Sequence, residues 1–401
     1  MQPAMSPEDA RRRILDAAPP LQPIELPLAE AYGCVSAMEV SSEYDIPPFS
    51  AAERDGFAAR SADVVGATPS APVTLRLAGR VETGRPPDVT VGWGEAVRVA
   101  AEAPVPSGAD CVIPLDRGAT DGADVRVVEA IESGANVRPA GEDVRAGSVL
   151  VPAGRRLSAP ELGILATAGH GSVLAYPKLR VAVIAVGDLI EPGRPTGFGQ
   201  VRDAVSYLLL GALRDVGAVP YRIGIVADTE RELRGAVMSN TLRADAFVVT
   251  GGEGDVTDAL VGLGDLRSIE VAVHPGSRVG YGNVEGKPFF SVSGKPMSAF
   301  VSFESFVRPA VMRMMGRTDL ERPHVRAVLD ETPQGPPGVT LLVPARLTAR
   351  EGRWHCAPTG PATESRLGSV VRANALMTVP PDSSLSPGSD VRVQVIRPLE
   401  R

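Results

Sequence analysis

The sequence predicts a multidomain protein of α/β plus all-β modules: β-rich N-terminal parts, a central parallel, helix-covered sheet, and a C-terminal β domain. Two observations lead there. At 401 residues the chain is too long for one ordinary core. Short β-type runs broken by Gly and Pro fill both ends, and a β-α-β-α-β alternation of apolar runs and helical patterns lies between them.

The chain opens with a helix: Ser6 caps it, Pro7 takes the first helical position, Glu8 and Asp9 face the positive end of its dipole, and Ile14 and Leu15 form its apolar stripe. Between positions 25 and 175 the runs 73–77, 96–99, 125–128 and 148–151 read as strands, and 159–169 as a helix. The character changes at Lys178. Residues 179–186 are a continuous apolar run, as expected of a strand buried on both faces. A helix at 205–216 closed by Gly217, a strand at 221–226, a helix at 229–240 and a strand at 246–250 follow, and this order requires a parallel sheet with crossovers. A strand at 289–292 and a long helix at 296–315 end the unit, after which strands at 325–329, 339–344, 375–379 and 391–395 make a small β domain.

Composition excludes several classes. Lys and Arg total 41 against 48 Asp and Glu, a net charge of -7, so the phosphate-neutralising face of a nucleic-acid binder is not expected. Cys34, Cys111 and Cys356 are dispersed and odd in number, which fits neither a disulfide framework nor a C-x-x-C site and agrees with a reducing cytoplasm. No two of His170, His274, His324 and His355 stand at i,i+4, so a zinc site is not expected. No leader pattern and no apolar run of membrane-spanning length occurs, so direct membrane insertion is not expected.

Ligands of open α/β sheets bind at the C-terminal ends of the strands. Here those ends carry Gly187-Asp188, Ala227-Asp228 and Thr250-Gly251-Gly252-Glu253-Gly254-Asp255, and the last is the candidate cradle in which backbone amides approach an anion. Lys287 and Ser293-Gly294-Lys295-Pro296 flank the strand before the long helix. Arg278, in His274-Pro275-Gly276-Ser277-Arg278, is the expected phosphate contact, and Ser298 is grouped with these substrate-binding residues. Asp188, Asp203, Asp255 and Asp258 all lie in or next to this rim of strand ends; Asp188 and Asp203 either hold Mg²⁺ or cap helices, and Asp255 and Asp258 read as capping or loop charges.

Asp45-Ile46-Pro47-Pro48-Phe49 through Asp55-Gly56-Phe57-Ala58, Ala103-Pro104-Val105-Pro106-Ser107-Gly108-Ala109-Asp110, Arg138-Pro139-Ala140-Gly141-Glu142-Asp143, Val186-Gly187-Asp188 and Ala373-Asn374-Ala375-Leu376-Met377, in this order, resemble the MoeA family, which includes the E domain of gephyrin. The resemblance implies a homodimer with four parts per protomer: 1–45 with 138–175, an inserted β domain at 46–137, a molybdopterin-binding α/β domain at 176–320, and a β-barrel-like domain at 321–401. It further implies that adenylylated molybdopterin loses AMP and receives molybdate, with Mg²⁺, and that Asp55, Glu142 and Asp188 are catalytic acids, Asp188 and Asp203 also metal-side acids.

The chain departs from the family pattern at particular places. Ala101-Glu102 stands for Thr-Gly, Leu189 for the acid of Gly-Asp-Glu, Ala204-Val205 for two hydrogen-bonding residues, and Ser277 for a lysine. A pyrophosphate site that loses cations and donors binds more weakly, since each such contact is worth about 1.5–3 kcal/mol. Weakened or lost metal insertion is therefore expected, with Glu102 and Glu253 adding repulsion. The alternative is a scaffold without cofactors that binds a partner peptide, such as the tail of the division protein FtsZ or a membrane receptor, as gephyrin does with receptor tails. Phe300, Phe303 and Phe306 would then serve as an exposed docking stripe, or else belong to the core.

Overall fold

The computed structural model describes residues 4–252, 256–333, 336–361, 363, 365–383 and 385–399. The chain forms two compact units, one of Met1–Leu26, Gly33–Ala37 and Leu174–Arg401, the other of Pro27–Tyr32 and Met38–Val173.

The first unit begins with α1 (Pro7–Asp16), capped as expected by Ser6, whose hydroxyl accepts a hydrogen bond from the Asp9 amide at 3.1 Å. Its central sheet is made of β1 (Arg180–Val186), β2 (Val219–Val226), β3 (Ala246–Gly251), β4 (Leu266–Glu270), β5 (Arg278–Val284) and β6 (Lys287–Val292) in the order β2-β1-β3-β6-β5-β4. The first four strands of that order are mutually parallel. Beyond them β6, β5 and β4 run antiparallel, an extension that the apolar pattern did not announce because 266–284 interleaves polar residues and glycines.

Alternation along β1 divides its side chains between two cores, as a strand covered on both faces requires. Val181 and Val183 meet the core that contains Leu209 and Leu213 of the helix Val205–Asp215, while Ala182 and Ile184 meet Leu233 and Val237 of the helix Glu230–Met238. The long helix expected at 296–315 is present in three parts, Pro296–Ser302, a π-helical turn Phe303–Val307 and Arg308–Met314. Phe303 and Phe306 are buried in the first of these cores and Phe300 packs against it, so they are core residues, not an exposed stripe.

The C-terminal strands His324–Leu329, Thr340–Arg350, Arg353–Pro358, Ala375–Val379 and Asp390–Val395 close into a barrel, because Thr340–Arg350 pairs with Ala375–Val379 as well as with Arg353–Pro358. Arg353–Pro358 was not expected as a strand. It is joined to its neighbour by a two-residue hairpin at Glu351 and Gly352, both at positive φ, which Gly favours and Glu tolerates less readily.

The second unit holds a six-stranded sheet ordered Cys111–Pro114, Gly56–Ala59, Glu95–Val99, Val73–Val81, Asp124–Val127, Gly118–Asp121. Two short ladders, Val137–Arg138 on Ala51–Ala52 and Val149–Val151 on Val40–Ser41, accompany it, together with the helix Ala159–Thr167.

Candidate functional site

The parallel strands of the first unit deliver a cradle at their C-terminal ends. Gly251 ends β3 with φ +95°, and a Cβ there would stand 2.1 Å from the Val186 carbonyl oxygen of β1. Only glycine lets the chain turn that close to its neighbour. The next amide, Gly252, donates to the same carbonyl at 3.1 Å. Opposite lies the turn after β6: Gly294 packs so near that a Cβ would be 3.0 Å from the Gly251 Cα, and the Ser293 hydroxyl accepts from the Lys295 amide at 3.1 Å.

A cavity of about 330 Å³ opens here, walled by Gly251, Gly252, Ser291, Gly294, Lys295 and Arg278. Five residues chosen from sequence as substrate contacts thus share one space, with two cations, Arg278 and Lys295, on exposed positions at its edge. Glycine amides and cationic side chains around an open volume suit an oxyanion.

Two of the expected contacts do not face it. Thr250 is buried and its hydroxyl donates to the Ser293 carbonyl at 2.9 Å, so it fastens the two turns together and is not among the lining residues. Ser298 is also buried and not in the lining; it sits inside the helix that follows Lys295. Glu253 and Asp255 lie outside the described residues.

Asp188 follows β1 on an exposed bend, at the end of the strand that pairs with β3. Asp203 is different. Its carboxylate is buried, with Oδ1 accepting from the Ser206 amide at 3.0 Å and Oδ2 from Arg222 Nη2 at 2.8 Å and from the Ser206 hydroxyl. Arg222 donates also to Glu191 at 2.8 Å and lies over the Tyr207 ring, 5.0 Å from its centre. Asp203 is therefore a helix cap held by an ion pair. Among the described residues no group of three or more His, Cys, Asp or Glu side chains is placed to hold a metal, and the structure commits the Asp203 carboxylate to Arg222 and Ser206 while Asp188 is exposed.

In the second unit Asp55 stands exposed on the turn between Ala51–Ala52 and Gly56–Ala59, its Oδ1 accepting from the Ala101 amide at 2.8 Å. Glu142 is exposed on the loop after Arg138, which is tied to the Ile46-Pro47 segment by Gly141 N to Pro47 O at 2.9 Å and Ile46 N to Val144 O at 2.7 Å. The side chain of Glu102 pairs with Arg138, so its expected repulsion of anions is replaced by occupation of a cation. Arg138 and Arg222 were the residues that sequence reasoning passed over: one lay unweighted inside a motif, and the other sat in a β-strand whose pairing with a distant loop had no local signal.

Comparison with known proteins agrees with this arrangement. Family models match in chain order: the MoeA N-terminal region (domain I and II) at residues 5–169, a probable molybdopterin binding domain at 182–313 and the MoeA C-terminal region (domain IV) at 326–396. Molybdopterin molybdenumtransferase 1 of Mycobacterium tuberculosis is 39% identical over 335 residues, covering 77% of this chain and 78% of that protein. Molybdopterin molybdenumtransferase 2 of the same organism is 32% identical over 389 residues, covering 94% and 95%. The crystal structure of a molybdopterin biosynthesis MoeA protein from Pyrococcus horikosii superposes with a TM-score of 0.82 at 26% identity, covering 99% of this chain and all of that one. With its glycine cradle at the sheet end, its inserted β unit and its closing barrel all matched in one order, the chain belongs to the MoeA family.

Proposed function

We propose that this protein acts in molybdenum cofactor biosynthesis: water cleaves the phosphoanhydride of adenylylated molybdopterin to release AMP, and molybdate joins the dithiol sulfurs with loss of an oxygen as water, at a rate lowered by the altered pocket. The cavity walled by Gly251, Gly252, Gly294, Arg278 and Lys295 is the observation that carries this reading, since it offers amides and two cations to a phosphoanhydride. Arg278 and Lys295 stabilise the charge that grows as AMP leaves. Asp188, on the neighbouring strand end, is the acid left to take up a proton, and Asp55 and Glu142 on the exposed turns of the other unit are proposed as further acids of the reaction. Leu189, half-buried in a ladder with Val201, supplies no second acid beside Asp188, which supports slow turnover. No step is assigned to Mg²⁺, because Asp203 is already paired with Arg222.

Purified protein given adenylylated molybdopterin and molybdate is expected to release AMP and to activate a cofactor-free molybdoenzyme, more slowly than a family member with Thr-Gly and Gly-Asp-Glu. No AMP above background would overturn this reading. A homodimer is part of the proposal; Tyr32, Tyr44 and Phe49 are exposed large side chains that a second copy would cover, and the mass in solution by light scattering tests it.

A second reading, a scaffold for a partner peptide, draws support from another cavity of about 170 Å³ that is lined by Glu8, Arg11, Glu304, Arg308, Arg322 and Thr378. Arg308 is buried there, its Nη1 donating to the Leu320 carbonyl at 2.8 Å and its Nε 3.8 Å from Glu304 Oε2 with no hydrogen-bond acceptor among the described residues. Fluorescence anisotropy with an FtsZ-tail peptide tests this reading. Binding lost on Arg308→Gln supports it, and no binding by the unmodified protein removes it.

A further inference from the structure

Glu102 stands in the left-handed region, φ +62°, where a side chain with a Cβ is strained and Gly or Asn is the usual occupant. The strained peptide is held at several points. The amide of Glu102 donates to the Ala52 carbonyl at 2.8 Å, the preceding amide of Ala101 donates to Asp55, and the Ala101 carbonyl accepts from the Thr83 hydroxyl at 2.9 Å. From this position the Glu102 carboxylate reaches Arg138 Nη2.

Arg138 is half-buried at the end of the Val137–Arg138 strand, opposite Ala51, and its Nε is fully shielded without a hydrogen-bond partner among the described residues. Its guanidinium therefore satisfies only part of its donor fork, on one exposed carboxylate, although the fork matches a two-oxygen anion. An exposed ion pair alone contributes little to folding. A strained backbone that serves only such a pair is a poor bargain for stability, and strain of this kind gathers where function needs a side chain in place.

We propose that Glu102 is a resident counter-carboxylate that determines anion affinity: it occupies Arg138, and an incoming oxyanion of the phosphate or molybdate class must displace it to reach the guanidinium. This rests on reading the face that carries Asp55 as part of the reaction site. Glu102 acts through Arg138 and makes no bond to the reacting atoms. The displaced carboxylate turns to solvent, which its exposure permits. Affinity at this face is thus set by competition between two anions for one cation, and the residue that weakens it lies outside the glycine cradle.

The test is equilibrium dialysis of the intact protein against labelled inorganic phosphate and, separately, molybdate, with Glu102→Gln, Glu102→Gly and the double variant Glu102→Gly/Arg138→Met. Both single variants are expected to bind at least one of the two anions about tenfold more tightly, since a charge-assisted contact is regained, and the double variant is expected to lose that gain. Glu102→Gly is also expected to melt above Glu102→Gln, because only glycine relieves the left-handed strain. Unchanged affinity in both single variants, or a gain that survives in the double variant, overturns the proposal. Lower melting in both with unchanged binding shows the pair to be structural and overturns it equally. The anion measurement needs no turnover, so tighter binding by Glu102→Gln in a protein that releases no AMP supports this inference while the proposed reaction fails.

Discussion

Asp203 and Arg222 are joined at 2.8 Å, and the carboxylate of that pair is almost wholly shut off from water. Burial works against the Arg222 charge, but Glu191 and Asp203 together hold its guanidinium above the ordinary arginine range. The pair fastens the end of the 189–203 loop to β2 and caps the helix Val205–Asp215 in the same contact.

Removing the arginine leaves a buried carboxylate without its partner. Arg222→Met is expected to lower stability by about 3 kcal/mol, the usual cost of breaking a buried pair, measured by urea unfolding. Arg222→Lys should recover only a part, since one ammonium cannot bridge both Asp203 and Glu191 in the geometry of the planar fork. Full recovery would show that charge alone matters at this position.

At the cradle, Gly251→Ala forces a methyl against the Val186 carbonyl in a backbone region that alanine avoids. A loss of about 2 kcal/mol is expected. AMP affinity should fall in the same variant, because the amide of Gly252 moves with the turn. Calorimetric titration with AMP beside a thermal melt separates the two effects.

Arg278→Ala and Lys295→Ala should leave the melting temperature nearly unchanged, as both residues are exposed at the cavity edge. Each is expected to weaken AMP binding by roughly tenfold to a hundredfold. An unaltered dissociation constant in both variants would move the phosphate elsewhere.

Glu161 gives the acid limb of the stability curve a specific shape. The Ser158 hydroxyl, and after it Arg155, hold its carboxyl down to about 2 from an ordinary 4.5. A group that binds its proton more weakly when folded adds stability above its unfolded value and loses it as the pH falls through the folded one. Unfolding free energy should thus drop between about pH 4.5 and about 2, and Glu161→Gln should flatten that stretch of the curve in a denaturant series.

Phe303→Ala should cost about 3–5 kcal/mol by opening a cavity in the core of the first unit, without a selective effect on any peptide that binds the protein. A variant of normal stability with lost peptide binding would restore the docking stripe.

The sequence disclosed most where one residue type does one physical job. Ser6 and Pro7 announced α1, the unbroken apolar run announced β1, and the glycines after Thr250 marked the cradle, because caps, burial and tight turns impose local demands. It disclosed least where the deciding partner is distant. Nothing near Asp203 indicated that Arg222 on β2 would claim it, so a helix cap looked equally like a metal ligand. Thr250 looked like a substrate contact because it adjoins the glycines that line the cavity, yet its hydroxyl turned to Ser293 across the sheet end. The antiparallel addition of β5 and β4 was hidden for a related reason: glycines and charges in 266–284 mask the period that marks a half-buried strand.

The pairing of Thr340–Arg350 with Ala375–Val379 turns the C-terminal sheet into a ring. Most of the backbone donors and acceptors along those strands are consumed inside it, so a visiting segment finds little open seam on which to add itself as a further strand. Whatever this module meets in the cell has to recognise its loops and side chains, and mutations that alter such recognition should map to those outward residues and leave the ladder untouched.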